Sequence, residues 1–413
     1  MKFTAFIFFI FSLIGNSAFG QNPYGFDLND GLSSVELTFK NESNLMIVPI
    51  KINGEGPYNF ILDSGSESGM IFDKLIIGKN NLVNARVIPV YAKNGTKITD
   101  IYVANNIDVD LRGVSGADQS MYVLQENFVN IENVLGVEAH GILGSEIFNR
   151  FVVEIDYIKM KVRLTKPSAF ILPRGYTKFE ISIENSRPFM NVKVKQKGEE
   201  SIDIKLLIDT GASGALLLDA DNSEEIKIPQ KTVDHVIGRS IGGVLNGKVG
   251  RVKRVKIGKF KFRKVLSSYP EEWRVSEKSE IDSNGNLRYG TIGADLFSRF
   301  DVIFNYSENT LYLKKNEAYN MPFRYNTIGM NVMAYGDKLN VYFINDLIKG
   351  SPAEKAGLQV DDEVIALNGS PAFLYDLTEV NSILKRNKGE RLRLIIRRDG
   401  NLIQFVLKHQ RLL

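Results

Sequence analysis

The chain contains no cysteine. A disulfide framework, a thiolate zinc site, a cysteine nucleophile and a lipid-modified N-terminal cysteine are thereby excluded. Histidine is scarce: His140, His235 and His409 are the only three in 413 residues. That leaves little material for histidine-based metal centres or triads. Beyond the first twenty residues, no run approaches the ~20 apolar residues of a spanning helix. Charge of one sign is also lacking. The 52 basic and 48 acidic residues leave a net +4, too even to imply a nucleic-acid partner. With 44% hydrophobic and 24% charged residues, the composition excludes a mostly disordered or fibrous chain.

What is present begins with an address. Lys2 is the only charge in residues 1–20, the run Phe3–Ile14 is apolar apart from Thr4 and Ser12, and Ala18 and Gly20 are small. This reads as a secretory signal peptide cleaved after Gly20. The competing reading is an uncleaved membrane anchor, against which the shortness of the run counts. Export without cysteines fits a bacterial periplasm or exterior. The expected localisation is therefore secreted or periplasmic, with no stable membrane insertion after cleavage.

From residue 31 to about 318 the texture is all-β: short Val/Ile/Phe/Tyr-rich runs separated by Gly, Asn and Asp. The segment also repeats itself. Asn59-Phe-Ile-Leu-Asp63-Ser-Gly65-Ser returns as Lys205-Leu-Leu-Ile-Asp209-Thr-Gly211-Ala. His140-Gly-Ile-Leu-Gly144-Ser-Glu-Ile-Phe148 returns as Tyr289-Gly-Thr-Ile-Gly293-Ala-Asp-Leu-Phe297, and Glu154–Tyr157 returns as Ile303–Tyr306. Three blocks in one order at nearly one offset mark a duplicated unit. The halves run 31–166 and 167–318, each the size of one domain.

Each half delivers one carboxylate at the end of an apolar run. Burial there would raise its pKa unless something compensates. Ser64 and Thr210 follow as local hydrogen-bonding hydroxyls, and Gly65 and Gly211 allow close backbone approach. One Asp per half suggests two carboxylates meeting at a pseudo-two-fold axis and sharing one proton. Such a pair can take a proton from water and give one to a carbonyl oxygen, which is hydrolysis without a covalent intermediate. An isolated Asp-Ser-Gly or Asp-Thr-Gly is an ordinary turn. The duplication, and the downstream glycine elements at Gly144 and Gly293, separate these from turns.

Residues 31–318 resemble the two-lobed aspartyl proteases of the pepsin and retropepsin superfamily, particularly the bacterial type with two retropepsin-like units in one chain. The resemblance rests on Asp63-Ser-Gly, Asp209-Thr-Gly and both downstream glycine elements. It implies closed β-barrel lobes with Asp63 and Asp209 as the catalytic pair. It also implies one or two hairpin flaps over the cleft, for which Asn94-Gly95 and the glycine-rich Gly242-Gly243 are the candidates. Paired cysteines are missing, and Tyr91 and Tyr102 are the candidates for a flap tyrosine.

Residues 328–410 resemble a PDZ domain of the bacterial peptidase type. The carrying residues are Gly329-Met330, Ser351-Pro-Ala-Glu-Lys-Ala-Gly357 and Asp362-Glu-Val-Ile-Ala-Leu-Asn-Gly369, with Asp361 where glycine is usual. The resemblance implies capture of a chain tail by strand addition, with backbone N–H groups of Ile328, Gly329 and Met330 holding its carboxylate. A domain that merely packs on the rest is the competing reading. Residues 319–327 read as a linker.

Two motifs are decoys. Gly238-Arg-Ser240-Ile-Gly242 matches the serine-hydrolase elbow, but a β-like stretch follows it where a helix is needed. Gly242–Lys248 nearly reads as a phosphate loop, but Val249 stands where a hydroxyl must hold magnesium. The nine Lys/Arg of Lys248–Lys264 read as a solvated strand face.

The expectation is thus a mainly β, monomeric, exported aspartic endopeptidase with a small α+β PDZ domain. It needs no metal or organic cofactor, and its partners are a peptide or protein substrate and a ligand tail. The rival is a pseudo-peptidase that binds without cutting, and a homodimeric retropepsin arrangement is a weaker third. One asymmetry adds a finer expectation. Ser66 stands where Ala212 stands in the second half, so its hydroxyl is predicted to donate to Asp63 and keep that residue ionised.

Overall fold

The computed structural model describes residues 25–78, 82–83, 85–91, 97–125, 127, 130–221, 223–240, 243–271 and 289–413. Residues 1–20, where a signal peptide is expected, lie outside them. The described chain is built from strands, with helices of at most eight residues.

Each half of the repeat closes a six-stranded ring. In lobe 1 the ring runs Leu45–Ile52, Glu55–Leu62, Gly141–Leu143, Met70–Ile71, Val114–Leu124 and Lys97–Leu111, the last returning to Leu45–Ile52. In lobe 2 it runs Arg187–Lys195, Ser201–Asp209, Gly290–Gly293, Leu216–Leu218, Phe260–Pro270 and Gly243–Ile257. The two rings match strand for strand, as a duplicated sequence requires. Ring closure removes most open sheet edges. Alternate residues point inward: Met46, Val48, Ile50 and Ile52 in lobe 1, and Val192, Val194, Ile204, Leu206 and Ile208 in lobe 2, are fully buried.

A third sheet joins the lobes. Its middle strands are Val152–Asp156 and Phe300–Asn305, repeat partners that pair antiparallel, with Ile155 opposite Val302. The pseudo-two-fold axis therefore passes through this sheet. Lobe 1 also begins before residue 31: Gly25–Leu28 pairs with Val114–Ala117 and buries Phe26 and Leu28. That short alternating strand sits too close to the leader to stand out in the sequence.

The third unit has its own sheet, in the order Met330–Tyr335, Val341–Leu347, Glu363–Leu367, Arg391–Arg398 and Asn401–Lys408. Ser351 caps the short helix Pro352–Lys355 by accepting the Glu354 N–H at 3.2 Å. Asp376 and Glu379 form a reciprocal capping box on helix Leu377–Leu384. Asp361 sits at φ 69°, the left-handed conformation that explains why glycine is usual there.

Candidate active site

The strands Glu55–Leu62 and Ser201–Asp209 bring Asp63 and Asp209 to the junction of the lobes. In lobe 1, Gly141–Leu143 lies parallel to Phe60–Leu62, and Leu143 O takes the Asp63 N–H at 2.9 Å. In lobe 2, Thr291–Gly293 lies parallel to Leu207–Asp209. Each downstream glycine then passes beneath the turn that follows its Asp. A Cβ on Gly144 would stand 2.9 Å from Ser66 O, and one on Gly293 2.5 Å from Ala212 O. The glycine elements are therefore the floor on which the two Asp turns rest.

The hydroxyls that follow the carboxylates lock the lobes together. Ser64 Oγ donates to Ile208 O at 2.9 Å and accepts the Thr210 N–H at 3.1 Å. Thr210 Oγ1 donates to Leu62 O at 2.9 Å and accepts the Ser64 N–H at 2.9 Å. Both residues are fully buried. Four crossed bonds thus hold the two turns in register.

Across this lock the carboxyls face one another. Gly65 N–H donates to Asp63 Oδ1 at 2.7 Å, and Gly211 N–H to Asp209 Oδ1 at 2.8 Å. A Cβ on Gly65 would lie 2.5 Å from Asp209 Cγ, and one on Gly211 would fall inside the Asp63 carboxyl. Only glycine admits this approach. The side chains are hydrogen-bonded to each other. Burial pushes both carboxyls above the usual range, and the neighbouring Asp63 charge pushes Asp209 further. Two carboxyls this close retain one proton between them.

Sequence comparison agrees with this geometry. Residues 191–296 match the family model described as aspartyl protease, and residues 343–398 that described as PDZ domain. The chain carries an aspartyl-protease-like domain and a C-terminal PDZ domain. The serine protease Do-like HtrA of Bacillus subtilis (strain 168) is 27% identical over 168 residues. The match spans 40% of this chain and about a third (32%) of that relative's length. Among solved structures, an aspartic proteinase from Irpex lacteus aligns over 70% of this chain and 99% of its own. It does so at 11% identity and a TM-score of 0.42. A photosystem II D1 C-terminal processing protease aligns over 21% of this chain and 23% of its own, at 20% identity and a TM-score of 0.20.

The expectation for Ser66 is corrected. Its hydroxyl donates to Ser68 O at 2.8 Å, within its own turn. It is the Ser66 backbone N–H that reaches Asp63, just as the Ala212 N–H reaches Asp209. The side-chain difference between the repeats therefore does not act on the carboxylates. The amide cradle of the PDZ domain is corrected too. Asn326 Oδ1 already accepts the Ile328 and Gly329 N–H groups at 3.0 and 2.8 Å, while its Nδ2 donates to Met330 O at 2.7 Å. A polar side chain two residues upstream closes the loop on itself.

The flap candidates Asn94, Gly95 and Gly242 fall outside the described residues. Among the described residues Arg86–Tyr91 pairs with Lys97–Val103, and Val233–Ser240 with Gly243–Val249, with Gly243 opposite Ser240. Ser240 therefore stands in a hairpin, with no helix after it to make a serine elbow. Tyr102 packs partly buried on the lobe core.

Several residues near the dyad carried little signal in the sequence. Arg187 is buried and pairs across the lobes with Glu67 at 2.8 Å, feeling the charge of both Asp63 and Asp209. A lone arginine before Pro-Phe-Met is its only trace. Glu146 caps the lobe 1 floor: burial raises its carboxyl to about 7, aided by the Asp63 charge. Its Oε2 is enclosed without a hydrogen-bond partner among the described residues. Tyr157 and Tyr306, equivalent in the repeat, are buried and held above the usual phenol range by burial and by the nearby dyad charge. Their place in the third repeat block could have revealed them.

Proposed function

We propose that this protein is an exported aspartic endopeptidase in which Asp63 and Asp209 activate a water against a peptide bond. The observation that carries the reading is the mutual seating of each glycine against the opposite carboxyl, which brings the two buried carboxyls together. Asp63 accepts the Gly65 and Ser66 N–H groups, and its charge pushes Asp209 the further up, so Asp63 is read as the partner that bears the negative charge and acts as base. Asp209 keeps the proton and donates it to the scissile carbonyl oxygen. As the C–N bond breaks, Asp63 passes the proton it took from water to the leaving nitrogen and Asp209 recovers one from a hydroxyl of the tetrahedral intermediate, which restores the dyad with no covalent enzyme intermediate. The Ser64–Thr210 lock keeps both carboxyls in one plane of approach. The PDZ domain is read as the element that engages a substrate or partner tail. Export to the periplasm or exterior is part of the same reading and rests on the 1–20 leader.

The test uses the mature chain, a diverse peptide pool and a statine-type inhibitor. Asp63→Asn and Asp209→Asn should each abolish inhibitor-sensitive cleavage, since neither the base nor the acid suffices alone. Melting temperature should stay level or rise, because each substitution removes a carboxyl that burial disfavours. Cleavage within tenfold of wild type in either variant would overturn the assignment.

A further inference from the structure

The PDZ strand Met330–Tyr335 pairs on one side only, with Val341–Leu347. Helix Leu377–Leu384 packs beside it, sharing the core of Met330, Val332 and Ala334. A free strand edge next to a helix is where an extended chain adds itself to such a sheet.

That edge is occupied from within. The lobe 1 helix Ile131–Leu135 lies against strand Met330–Tyr335. Asn133 Nδ2 donates to Ala334 O at 2.6 Å. Gly136, at φ 75°, ends the helix so close to the PDZ helix that a Cβ would stand 2.5 Å from Leu377 Cβ. Beside this contact, Thr378 Oγ1 donates to Glu42 Oε2 at 2.7 Å. The loop at the start of the strand is filled by Asn326, as described above. The same strand also grips lobe 2: Asn331 Nδ2 lies 3.0 Å from His235 Nδ1 at the root of the lobe 2 hairpin.

We infer that segment 130–136 is an internal ligand of the PDZ edge groove, which an extended chain with a free C-terminal carboxylate must displace, its carboxylate taking the Ile328 and Gly329 N–H groups from Asn326 Oδ1, in order to bind. The inference rests on reading the PDZ domain as a tail-binding module and specifies how its groove is gated. A short helix cannot form a strand ladder, so it holds the edge by a side-chain bond and packing. An added strand brings successive main-chain bonds and outcompetes it. The gate leads to the dyad. Five residues past Gly136 the chain becomes strand Gly141–Leu143, whose Leu143 O seats the Asp63 N–H. A tail that lifts segment 130–136 therefore pulls on the backbone beneath a catalytic carboxyl.

The experiment measures binding in the full chain carrying Asp209→Asn, so that peptides persist. The probe is a fluorescent decapeptide pool with four random C-terminal positions, as free carboxylates and as amides. Gly136→Asn is the opening variant, because asparagine tolerates positive φ while its Cβ must collide with Leu377. Gly31→Asn, at φ 78° with nothing within 4 Å, is the control. Gly136→Asn should bind the carboxylate pool at least tenfold more tightly than the parent and the control, with faster hydrogen exchange at 330–335. Should that variant fail to fold, Asn133→Asp, which sets a charge against Ala334 O, takes its place with the same expectation. Because the chain has no cysteine, Glu42→Cys and Thr378→Cys joined by a short bismaleimide should close the groove and remove binding. Equal binding by parent and opened variant, or undiminished binding by the bridged protein, overturns the gate. No carboxylate-dependent binding by any form overturns the tail-binding reading itself. Cleavage by the unmutated dyad is scored separately.

Discussion

Arg187 and Glu146 both lie in the field of the dyad. Arg187 places a buried positive charge in the field of both carboxyls and favours their ionised form. Arg187→Met should raise the dyad pKa and move the acidic limb of log(kcat/KM) to higher pH. Ser66→Ala should leave that limb in place, since the Ser66 hydroxyl is spent on Ser68 O. A limb that moves with Ser66 and not with Arg187 would reverse this account. Glu146 acts on stability. Burial lifts its folded pKa to about 7, above the 4.5 of a free glutamate, so between these pH values the folded state holds a proton that the unfolded state has lost. Stability from this group is complete below pH ~4.5 and falls as pH rises through ~7, by on the order of 2 kcal/mol. Glu146→Gln should flatten that part of the curve, measured as melting temperature at pH 4.5, 5.5 and 7. Parallel curves for the two proteins would contradict the assignment.

At the scale of elements, the stability of the cleft rests on the crossing of the two Asp turns. Thr210→Ala removes a hydroxyl that satisfies both the Ser64 N–H and Leu62 O in a fully buried place. Each group left unpaired costs ~1–3 kcal/mol. The variant should lose roughly 2–4 kcal/mol in denaturant unfolding, and Thr210→Ser should recover most of it. A loss under ~1 kcal/mol would mean that water replaces the hydroxyl. The hairpin and strand readings followed from alternation of apolar residues, which is a local property. The β-rich runs Lys159–Thr165 and Met190–Lys197 of the sequence form strands with other ends, Lys161–Thr165 and Arg187–Lys195. The ends shifted because pairing partners, not propensity, decide where a ladder stops.

Across the whole molecule, the protease-like core and the PDZ core are separate hydrophobic clusters. The first reaches Phe323, and the second begins at Ile328. Both Asp turns and the sheet that joins the lobes lie before this break. A chain ending at Tyr325 should therefore fold and cleave short peptides, while losing activity on proteins engaged by their tails. It should also melt at a lower temperature than the full chain, because Gly136, Glu42 and His235 lose their PDZ partners. A truncated protein that is folded yet inert on every peptide would make the PDZ domain part of the catalytic fold.

The sequence by itself determined the duplicated architecture, the pair Asp63 and Asp209, and the glycines around them. These are legible because each repeat carries its own copy and the chemistry depends on adjacent residues. The helix caps at Ser351 and Asp376 are likewise local, each set within four residues of the chain. Only the tertiary structure decided what crosses between units. Arg187 meets Glu67, Asn133 meets Ala334, and Gly136 meets Leu377 across long stretches of chain, at positions no local pattern marks. Ser66 shows the same limit in reverse. A residue adjacent to the dyad in sequence turned its hydroxyl to the nearest carbonyl, because a satisfied bond within the turn was closer than the carboxylate.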